Sequence, residues 1–354
     1  MSARLYSRAI GQSSQAQVSR GFREALQAAG ALAGEYAMDI EPLPEEPARP
    51  GAAAPHGIWT APLAHLQTLR QAGRHARRWV MVAPNSTWMP PGLLSLLEAT
   101  ATGLLAPSGW AAEVLRELTP FPVTVVRHGV HPELTVAQPT TVKLLGMDYT
   151  LGRFRVGHFS TSERQRKGTR ELIAAWELLQ QRQALPSSAQ LFLVLDAPAE
   201  TQLILEFEGK FPPGVVLRSR LNLPAGSMAP MLQSLHLVCQ PSRGEAFGLV
   251  PLESLACGTP VVATACTGHS EYLSPSTPGA VVVEHGPTGP IDDGDGAWGP
   301  TVSPDAIAAA VEIGYQRWTE LKVAASQHAG SVQTAWAWPQ VLGPFIEQMQ
   351  KEEP

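Results

Sequence analysis

The chain has 354 residues, 44% hydrophobic and 16% charged, with a net charge of -5. These proportions exclude a disordered chain and give enough length for two domains. No apolar run reaches the roughly 18 residues of a membrane span, and the N-terminus MSARLYSRAIGQSSQ lacks the apolar core of a signal peptide, so a cytoplasmic protein with no integral membrane association is expected.

In the first half, the runs LYSRAI, YAMDI, GIWTA, WVMVAP, GLLAPS and VTVVRHG read as strands. Helices are expected from Ser14 to Ala29 and from Gly109 to Leu118. EPLPEEPARPGAAAP (41–55) reads as a proline-rich surface loop. Residues 1–145 carry a balance of +2, with Arg70, Arg74, Arg77 and Arg78 bunched in RQAGRHARR. A solvated helix face is favoured for this bunch over a surface for phosphate or nucleic acid.

The second half repeats the alternation and carries a balance of -7. Its strands are FRVGHF, QLFLVLD, GVVLRSR, LHLVCQ, PVVATA and GAVVVE. Helices are expected at 169–182, 199–208, 226–235, 249–257 and 304–320. GPTGPIDDGDGAWGP (286–300) reads as a solvated loop. It lacks the placed glutamate of a calcium loop. Strand–helix alternation of this kind predicts an α/β chain of two doubly wound domains, divided near 145/146 in LTVAQPTTVKLLGMDYT. Three cysteines, Cys239, Cys257 and Cys266, are too few for a disulfide framework and read as small core residues. Neither they nor the ten scattered histidines have the spacing of a metal site.

Ligands of open parallel sheets bind beyond the carboxyl ends of the strands, so the loops there come first. After LHLVCQ, the stretch PSRGEAFGLVPLESLACG holds Glu245 just before a helix. Gly248 gives a flexible backbone there, and the Phe247, Gly248 and Leu249 amides open the helix as an anion site. Leu249, Leu252, Glu253 and Ala256 share one helix face, so Glu253 points inward, where a carboxylate needs strong donors such as ribose hydroxyls. Favourable charge at the helix dipole explains Glu245 equally well from these residues alone. After FRVGHF, the loop STSERQRKG brings Arg164, Arg166 and Lys167 to the start of another helix, a second anion site. Its helix carries Leu172, Ile173, Trp176 and Leu179 on one face for the sheet.

The stretch PSRGEAFGLVPLESLACGTPVVAT resembles the signature of retaining GT-B glycosyltransferases of family 4: a Glu, seven residues, a Glu, then Gly-Thr-Pro-Val-Val. LLAPSGWAAEVLREL, VTVVRHGVHPEL, RKGTRELIAAW, TGHSEYL and TAWAWPQVLGPFIEQM resemble further segments in the same order. The resemblance implies a GT-B fold of two Rossmann-like domains facing a central cleft. Residues 1–145 would bind the acceptor and 146–335 the nucleotide-sugar donor, with 336–354 as a terminal helix returning to the first domain. It implies a nucleoside-diphosphate sugar, UDP- or GDP-linked, as co-substrate and no metal. Glu245 would meet the donor sugar's hydroxyls and Glu253 the ribose. Lys167 would neutralise the diphosphate. Arg164, Arg166, Gly11 and the Phe247–Leu249 amides complete the donor side.

Departures from the family pattern fall at Thr161, where an arginine is common, and at Gln12, where a second glycine is common. Asn85 stands where some relatives carry glutamate, and His131 follows Gly-Val. Asn85, Trp88 and His131 are therefore assigned to the acceptor side, toward a saccharide, a small molecule or a hydroxymethylated base of phage-type DNA. A monomer or homodimer is expected. A nucleotide-sugar epimerase or phosphorylase and a non-catalytic nucleotide-sugar binder share this architecture. A dinucleotide oxidoreductase is disfavoured because Gly-x-Gly-x-x-Gly is missing after the first strand.

Overall fold

The computed structural model describes residues 3–7, 14–37, 56–60, 75–85, 87, 89–136, 153–161, 165–219, 227–291 and 297–352. The chain divides into two compact units, Met1–His131 with Thr334–Pro354, and Pro132–Gln333. The expected boundary at 145/146 and the loop 41–55 lie outside the described residues.

In the first unit, β1 (Ala3–Ser7), β2 (Leu32–Ala37), β3 (His56–Trp59), β4 (Arg77–Met81), β5 (Gly103–Ala106) and β6 (Val123–Val125) form one sheet in the order β2-β1-β3-β4-β5-β6. Every pairing is parallel. Helix α1 (Ser14–Ala28) buries Val18, Phe22, Ala25 and Leu26, the stripe that a 3.6-residue period presents to a sheet. Helix α2 (Pro91–Thr100) is not anticipated by the sequence reading. It begins on Pro91, whose missing N–H costs nothing there, and it buries only Leu97 and Thr100. Helix α3 (Gly109–Leu118) is capped by Ser108, whose Oγ accepts from the Ala111 N–H at 3.0 Å.

Arg77 and Arg78 are not on a helix face; they open β4. The Arg78 guanidinium donates to the Thr100 carbonyl at 2.6 Å and the His75 carbonyl at 3.2 Å, and Arg77 lies 3.7 Å from the Glu352 carboxylate. Strand pairing overrides helical spacing here, and both guanidiniums serve local carbonyls and carboxylates. Arg70 and Arg74 lie outside the described residues. The C-terminal helix, Trp338–Lys351, docks on α1: the Trp338 indole occupies the space a side chain at Gly21 would need and lies 6.1 Å from the Phe22 ring. The Val130 N–H donates to the Trp336 carbonyl at 2.7 Å and leads the chain into this contact.

In the second unit, β7 (Arg155–Ser160), β8 (Gln190–Leu195), β9 (Val215–Ser219), β10 (Leu237–Gln240), β11 (Val261–Thr264) and β12 (Ala280–Val283) pair in the order β9-β8-β7-β10-β11-β12. All pairings are again parallel. Numbered within the unit this is 3-2-1-4-5-6, the order of doubly wound nucleotide-binding sheets. Its helices are α4 (Thr169–Gln181), α5 (Ala197–Glu206), α6 (Met228–Ser234), α7 (Leu249–Ala256), α8 (Pro304–Gln316) and α9 (Trp318–Ala335). Leu172, Ile173, Trp176 and Leu179 of α4 join Leu191, Leu193, Ile307 and Val311 in the core. Each such side chain contributes about 1.5–3 kcal/mol by leaving water, and the Trp176 indole N–H is satisfied by the Pro213 carbonyl at 3.0 Å.

Two expectations change. The helix expected over 304–320 ends at Gln316, and a second begins at Trp318. No glycine or proline marks the break. The Trp318 indole donates to the His236 carbonyl at 3.0 Å with the two rings 5.0 Å apart, and this tertiary contact turns the chain. The segment 286–300 is not simply a solvated loop: β13 (Thr288–Pro290) and β14 (Trp298–Pro300) pair antiparallel, and Ile291 and Ala297 are buried between them and the unit. Residues 292–296 lie outside the described residues. Cys239 and Cys257 are buried, and burial pushes the Cys257 thiol up to about 12; Cys266 is half-buried. Among the described residues no helix is long and apolar enough to cross a membrane.

Candidate functional site

The order 3-2-1-4-5-6 makes its crossover between β7 and β10, so the chain leaves these two strands in opposite directions and opens a crevice at their carboxyl ends. The loop after β7 ends in Arg166, Lys167 and Gly168, and the loop after β10 runs from Pro241 to Gly248. The two loops are tied together by backbone. The Arg243 N–H donates to the Arg166 carbonyl at 2.7 Å, and the Arg166 guanidinium donates to the Gly244 carbonyl at 2.5 Å. Gly168 is left-handed, with φ 67°, and any side chain on it would overlap the Pro241 carbonyl.

Glu245 lies at the centre of the crevice and is 5% exposed. Its Oε1 accepts from Lys167 Nζ at 2.5 Å, and its Oε2 lies 3.2 Å from the Arg166 guanidinium. Burial by itself would push this carboxyl up, but the Lys167 ammonium and the Arg166 guanidinium outweigh it and hold Glu245 well below the usual carboxylate range. The backbone on either side is fixed by the segment after β11. The Glu245 N–H donates to Thr267 Oγ1 at 3.0 Å, and the Gly268 N–H donates to the Glu245 carbonyl at 2.8 Å. Thr267 takes φ 49°, a strained value for a β-branched residue and one found where a site over-determines the backbone.

Helix α7 starts on Gly248, left-handed at φ 80°. Its first-turn amides have no acceptor within the helix. His269 packs on Gly248 and gives its Nδ1 proton to the Thr264 carbonyl at 3.0 Å, so Nε2 is the acceptor nitrogen; burial lowers its pKa and keeps it neutral. The Tyr272 hydroxyl donates to the Gly248 carbonyl, and its ring lies 5.5 Å from Phe247. Glu253 is buried on α7, yet so is every residue of that helix except Val250, so a single inward face does not explain its position.

Beneath the crevice, His158 of β7 spans the crossover. Its Nδ1 donates to the Cys239 carbonyl at 2.9 Å, because a carbonyl can only accept, and its Nε2 takes the Thr169 hydroxyl at 2.9 Å. Desolvation lowers its pKa to about 4, so the ring is neutral. The same loop reaches outward through Arg243. Its guanidinium donates to the Pro300 carbonyl at 3.0 Å and the Pro290 carbonyl at 2.7 Å, one on each strand of the β13–β14 hairpin.

The structure thus brings together Lys167, Arg166, Glu245, Phe247, Gly248 and Leu249. Glu253 stands one helical turn beyond Leu249. Thr161, where the family pattern carries arginine, is half-buried at the end of β7. Arg164, Gly11 and Trp88 lie outside the described residues. Asn85 is half-buried after β4. His131 belongs to the first unit and is buried against α1, with Nε2 3.0 Å from the Gln17 carbonyl and Nδ1 3.4 Å from Glu24. His158, Arg243, Thr267, His269 and Tyr272 were not singled out from the sequence. For Arg243 and His269 the available signal was their place in PSRGEAFG and TGHSEYL, next to the segments that carry the site. Among the described residues, no group of three or more His, Cys, Asp or Glu is placed to hold a metal ion.

The model of the family described as glycosyl transferases group 1 matches residues 153–311. D-inositol 3-phosphate glycosyltransferases are similar over parts of the chain. That of Jonesia denitrificans is 31% identical over 124 residues, 34% of this chain and 29% of the relative; that of Kribbella flavida is 41% identical over 71 residues, 20% and 16%. The chain therefore spans less than a third of the length of either relative. Among solved structures, sucrose-phosphate synthase from Thermosynechococcus elongatus superposes with a TM-score of 0.71 over 99% of both chains at 16% identity. Anabaena HepE, solved with UDP and glucose, gives 0.69 over 99% of this chain and 100% of its own at 14% identity. Both sheets are thereby accounted for by one known architecture: the chain has the GT-B fold, and residues 153–311 match the glycosyl transferases group 1 model.

Proposed function

We propose that this protein is a retaining glycosyltransferase that moves a sugar from a nucleoside-diphosphate sugar, UDP- or GDP-linked, to an acceptor hydroxyl. The observation that carries the reading is the buried Glu245 carboxylate held between Lys167 and Arg166 at the β7/β10 crossover. Cations beside helix N-termini suit a diphosphate, and a buried carboxylate among them suits sugar hydroxyls. The names of the relatives and the UDP and glucose in the HepE structure support the same substrate class.

In the reaction the bond between the anomeric carbon and the diphosphate oxygen breaks, and its electron pair leaves on the diphosphate. Lys167, Arg166 and, in the loop before them, Arg164 neutralise that charge, aided by the first-turn amides of α7. These groups take the role a divalent cation fills elsewhere, so the transfer is expected to survive EDTA. Glu245 orients the donor sugar through its hydroxyls and Glu253 takes the ribose. Gly11 is proposed as a further diphosphate contact. The acceptor hydroxyl attacks the face from which the diphosphate departs and passes its proton to the leaving phosphate, so the anomeric configuration is kept.

The second unit is read as the donor-binding domain, the first as the acceptor-binding domain, with the chain's C-terminal helix part of the latter and a cytoplasmic setting for the whole. Asn85 and Trp88 follow β4 on the acceptor side, and His131 acts there by packing on α1. The acceptor is a hydroxyl of a saccharide or small molecule. Labelled donor sugar is incubated with a panel of such acceptors and with duplex DNA bearing hydroxymethylated bases. Label in an acceptor, with the donor's configuration retained, supports the reading. Label only in DNA moves the acceptor class. Isomerised donor without acceptor marks an epimerase, and nucleotide binding without turnover a non-catalytic module. Full activity in both Glu245→Ala and Lys167→Ala would sink the site assignment.

A further inference from the structure

Arg243 joins three segments of the second unit. Its backbone N–H donates to the Arg166 carbonyl at 2.7 Å, in the loop that also carries Lys167. Two residues on, the same strand-to-helix loop carries Glu245. Its buried guanidinium donates to Pro290 and Pro300, one carbonyl from each strand of the β13–β14 hairpin, and its own carbonyl fills the space a side chain at Gly299 would need. Ile291 and Ala297, at the inner ends of the two strands, are buried. The hairpin is therefore seated on the loop that holds the Glu245 carboxylate, through a side chain that the chemistry itself does not use.

We propose that Arg243 is a positioning residue through which the β13–β14 hairpin sets the affinity of the donor site for a nucleoside diphosphate. The inference rests on the donor-site reading above. A guanidinium forked between two carbonyls fixes its own backbone in orientation as well as place. That backbone holds the Arg166 carbonyl on one side and precedes Glu245 on the other. Releasing the hairpin loosens both cations and the carboxylate together. By linkage, a ligand that orders the loops must also tighten the hairpin.

Hydrogen exchange of the full chain, free and with UDP or GDP, reads this coupling directly, and calorimetry gives the affinity. In the wild type, UDP or GDP is expected to slow exchange in the segments containing Gly289 and Trp298 as well as in those containing Lys167 and Glu245. In Arg243→Ala the hairpin loses that response and nucleotide affinity falls by about tenfold or more, the loss expected for charge-assisted hydrogen bonds that hold a site. Added guanidinium restores part of it, which a merely misfolded variant would not show. Gly299→Ala sets a methyl against the Arg243 carbonyl, pushes the hairpin off the loop while keeping the guanidinium, and is expected to weaken nucleotide binding in the same direction. Nucleotide binding with no change in hairpin exchange overturns the inference and leaves the donor-site reading standing. So does wild-type affinity in a folded Arg243→Ala. Failure of the wild type to bind any nucleoside diphosphate overturns the donor-site reading, and this inference with it.

Discussion

Gly248 and His269 are in van der Waals competition for one volume: a methyl group on Gly248 would overlap Cδ2 and Nε2 of the imidazole. The backbone at Gly248 is also left-handed, so a side chain there is strained whatever the space. Gly248→Ala is expected to cost about 1–3 kcal/mol of stability and to displace the α7 amides from the crevice. Denaturant titration and donor hydrolysis check both parts. Wild-type turnover in the variant would remove α7 from the site.

Glu245 balances the buried Arg166 and the half-buried Lys167, so removing its charge leaves the two cations facing each other. Glu245→Gln is expected to lose about 3–5 kcal/mol, the scale for breaking a buried ion pair. The variant should also gain more from UDP than the wild type does, because the diphosphate replaces the missing anion. Thermal shifts with and without UDP test this; an equal or smaller ligand-induced shift in the variant contradicts it.

His128 and His158 are buried and neutral, their pKa values lowered by desolvation from 6.5 to about 3 and about 4. The unfolded chain binds protons at these residues before the folded one does. Their contribution is fully present above pH 6.5 and is lost as pH falls toward 4 and 3. Where both titrate only in the unfolded state, stability falls by about 2.7 kcal/mol per pH unit. Glu245 adds to the loss at lower pH, since its folded value lies below the ordinary 4.5. Urea midpoints between pH 7 and 4 should drop accordingly. His158→Gln should flatten the slope, and an unchanged slope would show that the histidine is not the titrating group.

Gly21 lies under the Trp338 indole. Gly to Ala inside a helix ordinarily stabilises by about 0.5–1 kcal/mol; here the sign reverses, because the methyl would push the C-terminal helix off α1. Gly21→Ala is expected to destabilise the first unit by about 1–3 kcal/mol and to expose the C-terminal helix to proteolysis. A stabilised, protease-resistant variant would contradict the docking.

Helix α4 is legible from apolar spacing because it buries a stripe of inward side chains, whereas α7, buried almost all round, shows only its Pro near the start and its Gly after the end. The strands are legible because a sheet covered on both faces needs continuous apolar runs such as QLFLVL. The break at Arg317 is not, since Trp318 turns the chain through a carbonyl 82 residues away. The hairpin is hidden by Gly, Pro and Asp, which mark loops, while its anchor lies in another motif. Arg77 and Arg78 mislead for the opposite reason, as their spacing is helical and their partners are in other segments. At the site, the two anion-friendly loops were legible separately. The contact between Lys167 and Glu245, 78 residues apart, required the crossover to bring them together.

The Lys167–Glu245 contact makes the resting crevice its own counter-ion shell. A simple anion that draws Lys167 away leaves the carboxylate to the Arg166 guanidinium alone, and a neutral sugar that courts the carboxylate must compete with an ammonium. The nucleoside-diphosphate sugar proposed as donor offers both ends a partner, its diphosphate to the ammonium and its sugar hydroxyls to the carboxylate.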